Sequence, residues 1–227
     1  EHKMRIVDAL HQEFPALTYD VTIKVEHIVR HAGAMARLRE TGCLFVTSAV
    51  EDVDDEVLAL LEKGHTLADF ERAVDVCRAA GLALAPTFVP FTPWTTPERY
   101  LRLLDAVADL DLTESVAPVQ WSIRLLIPAG SRLLELPEVG ALVRPFDAAA
   151  LAYPWSHPDP RVDRLQRDVA SLVGRRLNAP RAEVFEQVRR LARQCAAVST
   201  EPGSPVPDPG RGARRAPVPY LNEPWYC

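Results

Sequence analysis

Cysteine is scarce. The 227 residues hold four, at positions 43, 77, 195 and 227, and no two stand at C-x-x-C spacing. That excludes a zinc ribbon and a thioredoxin motif, and a disulfide framework does not suit a chain of this size. A reducing, cytoplasmic setting is the expectation. No apolar run approaches the ~18–20 residues that span a bilayer. The opening Glu1-His2-Lys3-Met4 has no apolar core of a signal peptide. Positive charge is not in excess. The 26 Lys+Arg against 31 Asp+Glu leave a net charge of −5, so neither nucleic acid nor a membrane is an expected partner. A P-loop, a G-x-S-x-G elbow, H-E-x-x-H and a dinucleotide glycine fingerprint are all missing. Hydrolase, nucleotidase and Rossmann dehydrogenase readings therefore have no motif to stand on.

Proline is plentiful instead, with 20 residues, roughly twice the usual share. Many fall in residues 201–219, EPGSPVPDPGRGARRAPVP, which carry almost no large apolar side chains. Such a segment cannot bury enough surface to offset its ordering entropy, so 198–219 reads as a linker. An aromatic tail follows at 220–227, YLNEPWYC. The whole chain is 48% hydrophobic and 25% charged, enough for one large domain with a small appendage.

From residue 1 to about 130 two periodicities alternate. Helical spacing is expected over 4–13, 28–40, 53–62, 67–80 and 97–109, and strands over 18–25, 43–50, 82–90 and 116–127. Thr66 with Asp69 forms a capping-box pattern, and Thr96-Pro97-Glu98 is a strong helix start. Gly42 sits where a helix C′ glycine belongs. Strands separated by helices imply crossovers and a parallel sheet. Residues 131–160 read as irregular, and 160–178 and 180–196 as two further helices. The expectation is an α/β fold, a parallel sheet with helices outside, followed by a helical C-terminal extension over 131–197.

In such folds ligands gather at the C-terminal strand ends. Those positions here are Lys24, Glu26 and His27; Ser48 and Glu51; Thr87, Pro90 and Thr92; and Gln120, Ser122 and Arg124. Glu51 stands out, because it ends a run with no other charge since Glu40. A carboxylate at the end of a buried strand is costly without a partner or ligand. The alternative is that Glu51 serves the helix starting near Val53 as an N-terminal acid. Lys24 is either a ligand or a partner of Glu26. Arg124, between Ile123 and Leu125, either points outward or needs a partner. Cys43 and Cys77 suit a core, and Trp94 and Trp121 suit packing. Glu26, His27 and His31 invite a metal reading, but they lie where strand becomes helix, so no metal site is expected.

Residues 41–66, TGCLFVTSAVEDVDDEVLALLEKGHT, resemble the fourth strand and following helix of radical S-adenosylmethionine (SAM) enzymes, which commonly read G-C…G-V-E-S…V-L…K-G-x-T. Residues 67–98 are similar to the next unit, with Val89-Pro90-Phe91-Thr92-Pro93-Trp94-Thr95-Thr96 where many members have G-L-P-G-E-T. Residues 116–130 resemble the sixth strand and its P-x-G turn. The likeness covers about residues 4–130. The tail YLNEPWYC resembles the end of the CUAEP/CCAEP-tail radical SAM proteins, which implies a selenocysteine codon after Cys227. The family's cluster loop C-x-x-x-C-x-x-C and its Gly-Gly-Glu segment are missing. The resemblance implies a partial parallel (β/α) barrel of the radical SAM type over 1–130; the chain opens inside what resembles the helix after strand two, so the N-terminal third of the barrel is expected to be cut off.

The resemblance implies reductive cleavage of SAM at a 4Fe–4S cluster whose ligands this chain does not carry. A 5′-deoxyadenosyl radical would then act on an unknown small molecule or peptide, with ferredoxin or flavodoxin as reductant. It implies Glu51 and Ser48 at the ribose, Lys24 and Arg124 at the methionyl end, and Phe88 to Phe91, Pro90 included, at the adenine. Cys227 is implied as a catalytic redox group or ligand near the substrate. The alternatives are a non-catalytic barrel-derived binding module, or a metal-dependent (β/α) barrel lyase built on Glu26, His27 and Glu51.

Overall fold

Helices begin where the sequence marks them. In the computed structural model, which describes residues 2–197, the order is α1 (His2–Glu13), β1 (Tyr19–Thr22), α2 (Val25–Arg30), α3 (Ala32–Glu40), β2 (Cys43–Glu51), α4 (Asp55–Leu60), α5 (Leu67–Ala79), β3 (Ala83–Phe88) and α6 (Pro97–Asp109). There follow α7 (Pro137–Gly140), α8 (Pro160–Arg175) and α9 (Arg181–Ala197). The Thr66–Asp69 capping box opens α5, and Thr96 caps α6 with Pro97 at its first position. Gly42 has φ 102°, and a Cβ there would come 2.4 Å from the Leu17 carbonyl oxygen, so only glycine fits this turn. The linker, the tail and Cys227 lie outside the described residues.

The three strands form one parallel sheet in the order β1-β2-β3. Val46 and Val50 of β2 belong to the main core with Val25 and Ile28 of α2, Phe70, Val74 and Cys77 of α5, and Leu103, Leu104 and Val107 of α6. Phe45 points the other way and packs with Ala83 and Ala85. The helices thus cover one face, which is the winding of a barrel wall rather than of a doubly wound sheet. Val162, Leu165, Val169 and Val173 of α8 and Val184, Phe185 and Val188 of α9 join the same core. No helix among the described residues is long and apolar enough to cross a membrane.

Three expected elements are corrected. The strand over 18–25 stops at Thr22, because α2 starts at Val25 with Lys24 at its N-cap position. The helix over 28–40 is two helices broken at His31, whose φ of −121° is not helical. The strand over 116–127 is replaced by a 3-10 turn, Pro118–Ser122. Pro118 has no N–H for a ladder, and Trp121 turns inward to lie 6.2 Å from the Phe88 ring. One parallel bridge survives from that strand: Phe91 N–H donates to the Ile123 carbonyl at 3.2 Å, and Leu125 N–H to the Phe91 carbonyl at 2.8 Å.

Residues 125–157 form a cap with a cluster of their own: Ile127, Val139 and Trp155 are buried, with Trp94 and Leu125 packed against them. Antiparallel bridges at Pro128–Ala152 and Val143–Trp155 close it.

Candidate functional site

The C-terminal end of β2 departs from regular strand. The register slips between Ala49 and Glu51. Glu51 has φ 71°, a left-handed conformation uncommon for a residue with a side chain. The Glu51 carbonyl accepts the Val89 N–H at 2.9 Å, so the backbone is pinned while the side chain is re-aimed. Its carboxylate oxygen accepts from Lys63 Nζ at 3.0 Å. The pair is neither fully buried nor free, at 21% and 23% exposure. Glu51 is therefore not a simple helix-start acid; Asp54 caps α4 instead, accepting the Glu56 N–H at 3.1 Å.

Gly64 brings a second carboxylate close. Glu26 Oε2 lies 3.7 Å from where a Gly64 Cβ would stand. Glu26 in turn faces Lys24 at 4.0 Å, His27 at 3.5 Å and Arg30 at 3.8 Å. Lys24 is 73% exposed, so its bond to Glu26 is worth little, and its ammonium is available to an anion. The first and second strand ends thus meet at one rim, with acids and cations interleaved. The His27 and His31 rings stand 6.4 Å apart. Among the described residues no group of three or more His, Cys, Asp or Glu side chains is arranged to hold a metal ion. Glu26, His27 and Glu51 do not make the donor set that a metal-dependent lyase needs.

Other expected site residues are placed elsewhere. Ser48 is fully buried on the helix-covered face, and its hydroxyl has no hydrogen-bond partner. Phe88 is fully buried between Phe70 and Trp121, and its N–H donates to Gln120 Oε1 at 3.0 Å. The Pro90 carbonyl accepts the Thr95 hydroxyl at 2.8 Å, and Thr95 Oγ1 accepts the Thr92 N–H at 2.8 Å. Threonines hold the loop where the resembling family has glycines. Arg124 donates to Asp163 Oδ1 at 2.7 Å and to the Trp155 carbonyl at 3.0 Å, and its guanidinium lies 3.6 Å from the Trp155 ring centre. That side chain ties the cap to α8.

Two residues at the rim were not foreseen in these roles. Asp52 is 7% exposed, and its Oδ1 accepts the Val53 and Asp54 N–H groups at 2.7 and 3.0 Å. Burial pushes its carboxyl up to about 6 despite those bonds. His65 is buried too, with Nε2 donating to the Val50 carbonyl at 3.2 Å. Burial holds its pKa below the ordinary value, which favours the neutral ring. The acidic run Glu51-Asp52-Val53-Asp54-Asp55-Glu56 was the available signal for Asp52, but periodicity does not say which acid turns inward.

A 4Fe–4S cluster does not fit the described residues. Cys43 and Cys77 are buried in the core, and burial pushes the Cys77 thiol up to about 11 and raises Cys43 as well. Cys195 stands apart on α9, with its thiol facing the Arg161 carbonyl. Three converging thiolates are not available among the described residues.

No protein-family model matches the sequence, and no curated protein matches it significantly. Among solved structures, the fold is similar to that of the cobalamin-dependent S-adenosylmethionine radical enzyme OxsB with aqua-cobalamin bound. The TM-score is 0.65 at 14% identity, over 86% of this chain and 37% of that one. The same enzyme with aqua-cobalamin and S-adenosylmethionine bound gives 0.63 at 14% identity, over 84% and 36%. The radical S-adenosylmethionine methyltransferase TsrM from Kitasatospora setae gives 0.42 at 18% identity, over 84% and 48%. The chain spans little more than a third of the length of OxsB, and at this identity the likeness is one of fold.

Proposed function

We propose that this chain is the SAM-facing portion of a radical S-adenosylmethionine enzyme. The observation that carries the reading is Glu51. A carboxylate sits at the carboxyl end of a parallel strand, in a left-handed backbone and beside Lys63, in a fold similar to that of OxsB. Strain at such a point persists only where surrounding structure holds it, and it clusters at ligand clamps. A carboxylate is acceptor-only when ionised and suits a ribose diol. Lys63 orients it, and Lys24 at the same rim offers a cation to the methionyl carboxylate. SAM, once bound at a cluster supplied by another segment, is the source of the radical; the residues of this chain bind and orient it.

The edge of β1 supports a barrel that continues beyond it. β1 pairs only with β2 among the described residues. In the α1 region Ile6, Leu10 and Phe14 follow one another at helical i,i+4 spacing and are exposed. A stripe of that spacing is a ridge for another helix. A preceding strand–helix unit would cover the edge and the stripe together.

The second reading, a binding module without radical chemistry, is favoured by the missing cysteine triad. Anaerobic iron–sulfide reconstitution of the complete gene product separates the two. About four irons per chain and 5′-deoxyadenosine on reduction are expected. A product that binds no iron overturns the enzyme reading. The CUAEP-type tail is tested by the codon after Cys227: UGA or a cysteine codon supports it, and any other codon ends it.

A further inference from the structure

Glu51 stands at the centre of a γ-turn. The Asp52 N–H donates to the Val50 carbonyl at 3.0 Å, and Glu51 between them has φ 71°. A γ-turn with positive φ at its centre is rare and strained, and such strain persists only where the surroundings hold it. Three bonds from outside the turn do so. The Val89 N–H donates to the Glu51 carbonyl, and Lys63 Nζ donates to the carboxylate. The third acts on the peptide before Glu51. His65 Nε2 donates to the Val50 carbonyl at 3.2 Å, so that one oxygen accepts from the turn and from the ring together.

His65 is also tied to the cation. Lys63, Gly64 and His65 are consecutive, between the end of α4 and the Thr66 cap of α5. Left-handed backbone flanks Lys63 on both sides, with φ 51° at Glu62 and 71° at Gly64. Local preference does not hold such a loop in shape, since only its glycine adopts that region freely. One end is fastened where the Lys63 N–H donates to the Leu58 carbonyl at 3.0 Å. The other end is fastened by the His65 ring, which also meets the Lys63 backbone. The ring is 8% exposed. Burial favours its neutral form, which carries a single N–H, and that donor is committed to Val50. A side chain that only filled this space would need no donor there.

We propose that His65 is the positioning residue of the Glu51–Lys63 pair. Its Nε2–H holds the Val50 carbonyl in the turn that aims Glu51, and its backbone holds the loop that brings Lys63 to the carboxylate. His65 acts through these two residues and not on a ligand itself. The consequence for S-adenosylmethionine rests on the function proposed above; the positioning does not.

Acylation of the lysines in the full chain, without cofactor, tests the proposal. Limiting acetic anhydride is added, and uptake at Lys63 is read by peptide mass spectrometry against Lys24, which is 73% exposed and serves as the internal standard. His65→Gln and His65→Met are compared. The two side chains match in length, but only Gln carries an N–H to offer the Val50 carbonyl. His65→Met should raise acylation of Lys63 relative to Lys24 about three- to fivefold, the release expected of an ion pair near the surface. His65→Gln should keep the ratio of the unaltered chain. Equal ratios in all three proteins would overturn the proposal. So would an equal rise in both variants, which would mean that only the shape of the ring matters. If His65→Met does not melt cooperatively, His65→Asn takes its place, with an amide too short to reach Val50. Retention of S-adenosylmethionine by the complete, cluster-reconstituted gene product separates this from the cofactor reading. A freed Lys63 with unchanged retention upholds the positioning and counts against the Glu51 contact with the ligand.

Discussion

Phe88 and Trp155 are both buried aromatic residues, and they are held by different means. Phe88 ends β3 in the body, fully enclosed, with Phe70 edge-on and Trp121 stacked at 6.2 Å. Trp155 belongs to the cap, in a small cluster, and is fastened by polar contacts. Its indole N–H donates to the Leu125 carbonyl at 2.9 Å, and Arg124 stacks on its ring while reaching Asp163. The body is held by many apolar contacts at regular spacing, and the cap by a few individual bonds. The body is therefore expected to unfold as one unit and the cap to open separately. The rim of Glu51 lies where the strands of the body end, so the rigid part positions the carboxylate.

The sharpest way to break this contrast is to empty the body. Phe88→Ala should cost about 3–5 kcal/mol and lower the denaturant midpoint of the whole chain. A loss confined to the cap would contradict the division. Next is Asp52, a buried acid inside the body. Folded Asp52 holds its proton more tightly than the unfolded carboxyl, about 6 against 3.8. Its contribution to stability is thus present at low pH and lost as pH rises through about 6, a change of about 2–3 kcal/mol. Asp52→Asn should remove that slope between pH 4 and 7 and raise stability at pH 7. An unchanged slope in thermal melts would place the titration elsewhere.

Arg124→Met should act on the cap alone. It leaves Asp163 without its cation at a largely buried site, with only the His157 N–H still donating to it, costing about 1–3 kcal/mol. Hydrogen exchange should quicken at residues 125–157 and stay slow in β2. The smallest effect belongs to Arg132. It holds Glu62 by two bonds of 2.7 and 3.0 Å between the cap and the loop after α4, but both side chains are mostly exposed. Arg132→Ala should cost no more than about 0.5 kcal/mol, and a larger effect would make that pair the true fastening of the cap.

What the sequence revealed follows the same line. α5, α6, β2 and β3 were legible because period and caps agree: Thr66, Thr96 and the run from Cys43 each point one way. The stretch 116–127 misled because Val116, Val119, Ile123 and Leu125 look like a strand, while Pro118 directs a tight turn. Glu51 was legible as a lone acid after an apolar run. Its left-handed backbone and its Lys63 partner were not, since both depend on a slip in register. Arg124 was legible only as a charge in need of a partner, because its partner Asp163 lies 39 residues away. Asp52 could not be singled out among five acids in six residues, since burial of one depends on how the chain turns into α4.

The carboxylate at the end of β2 is the centre of the account, and equilibrium dialysis of S-adenosylmethionine tests it most directly. The complete gene product, reconstituted with its cluster, should retain the ligand, and Glu51→Gln in it should weaken retention about 10- to 100-fold, the loss of charge-assisted hydrogen bonds worth about 1.5–3 kcal/mol. Equal retention by both reconstituted proteins would contradict it.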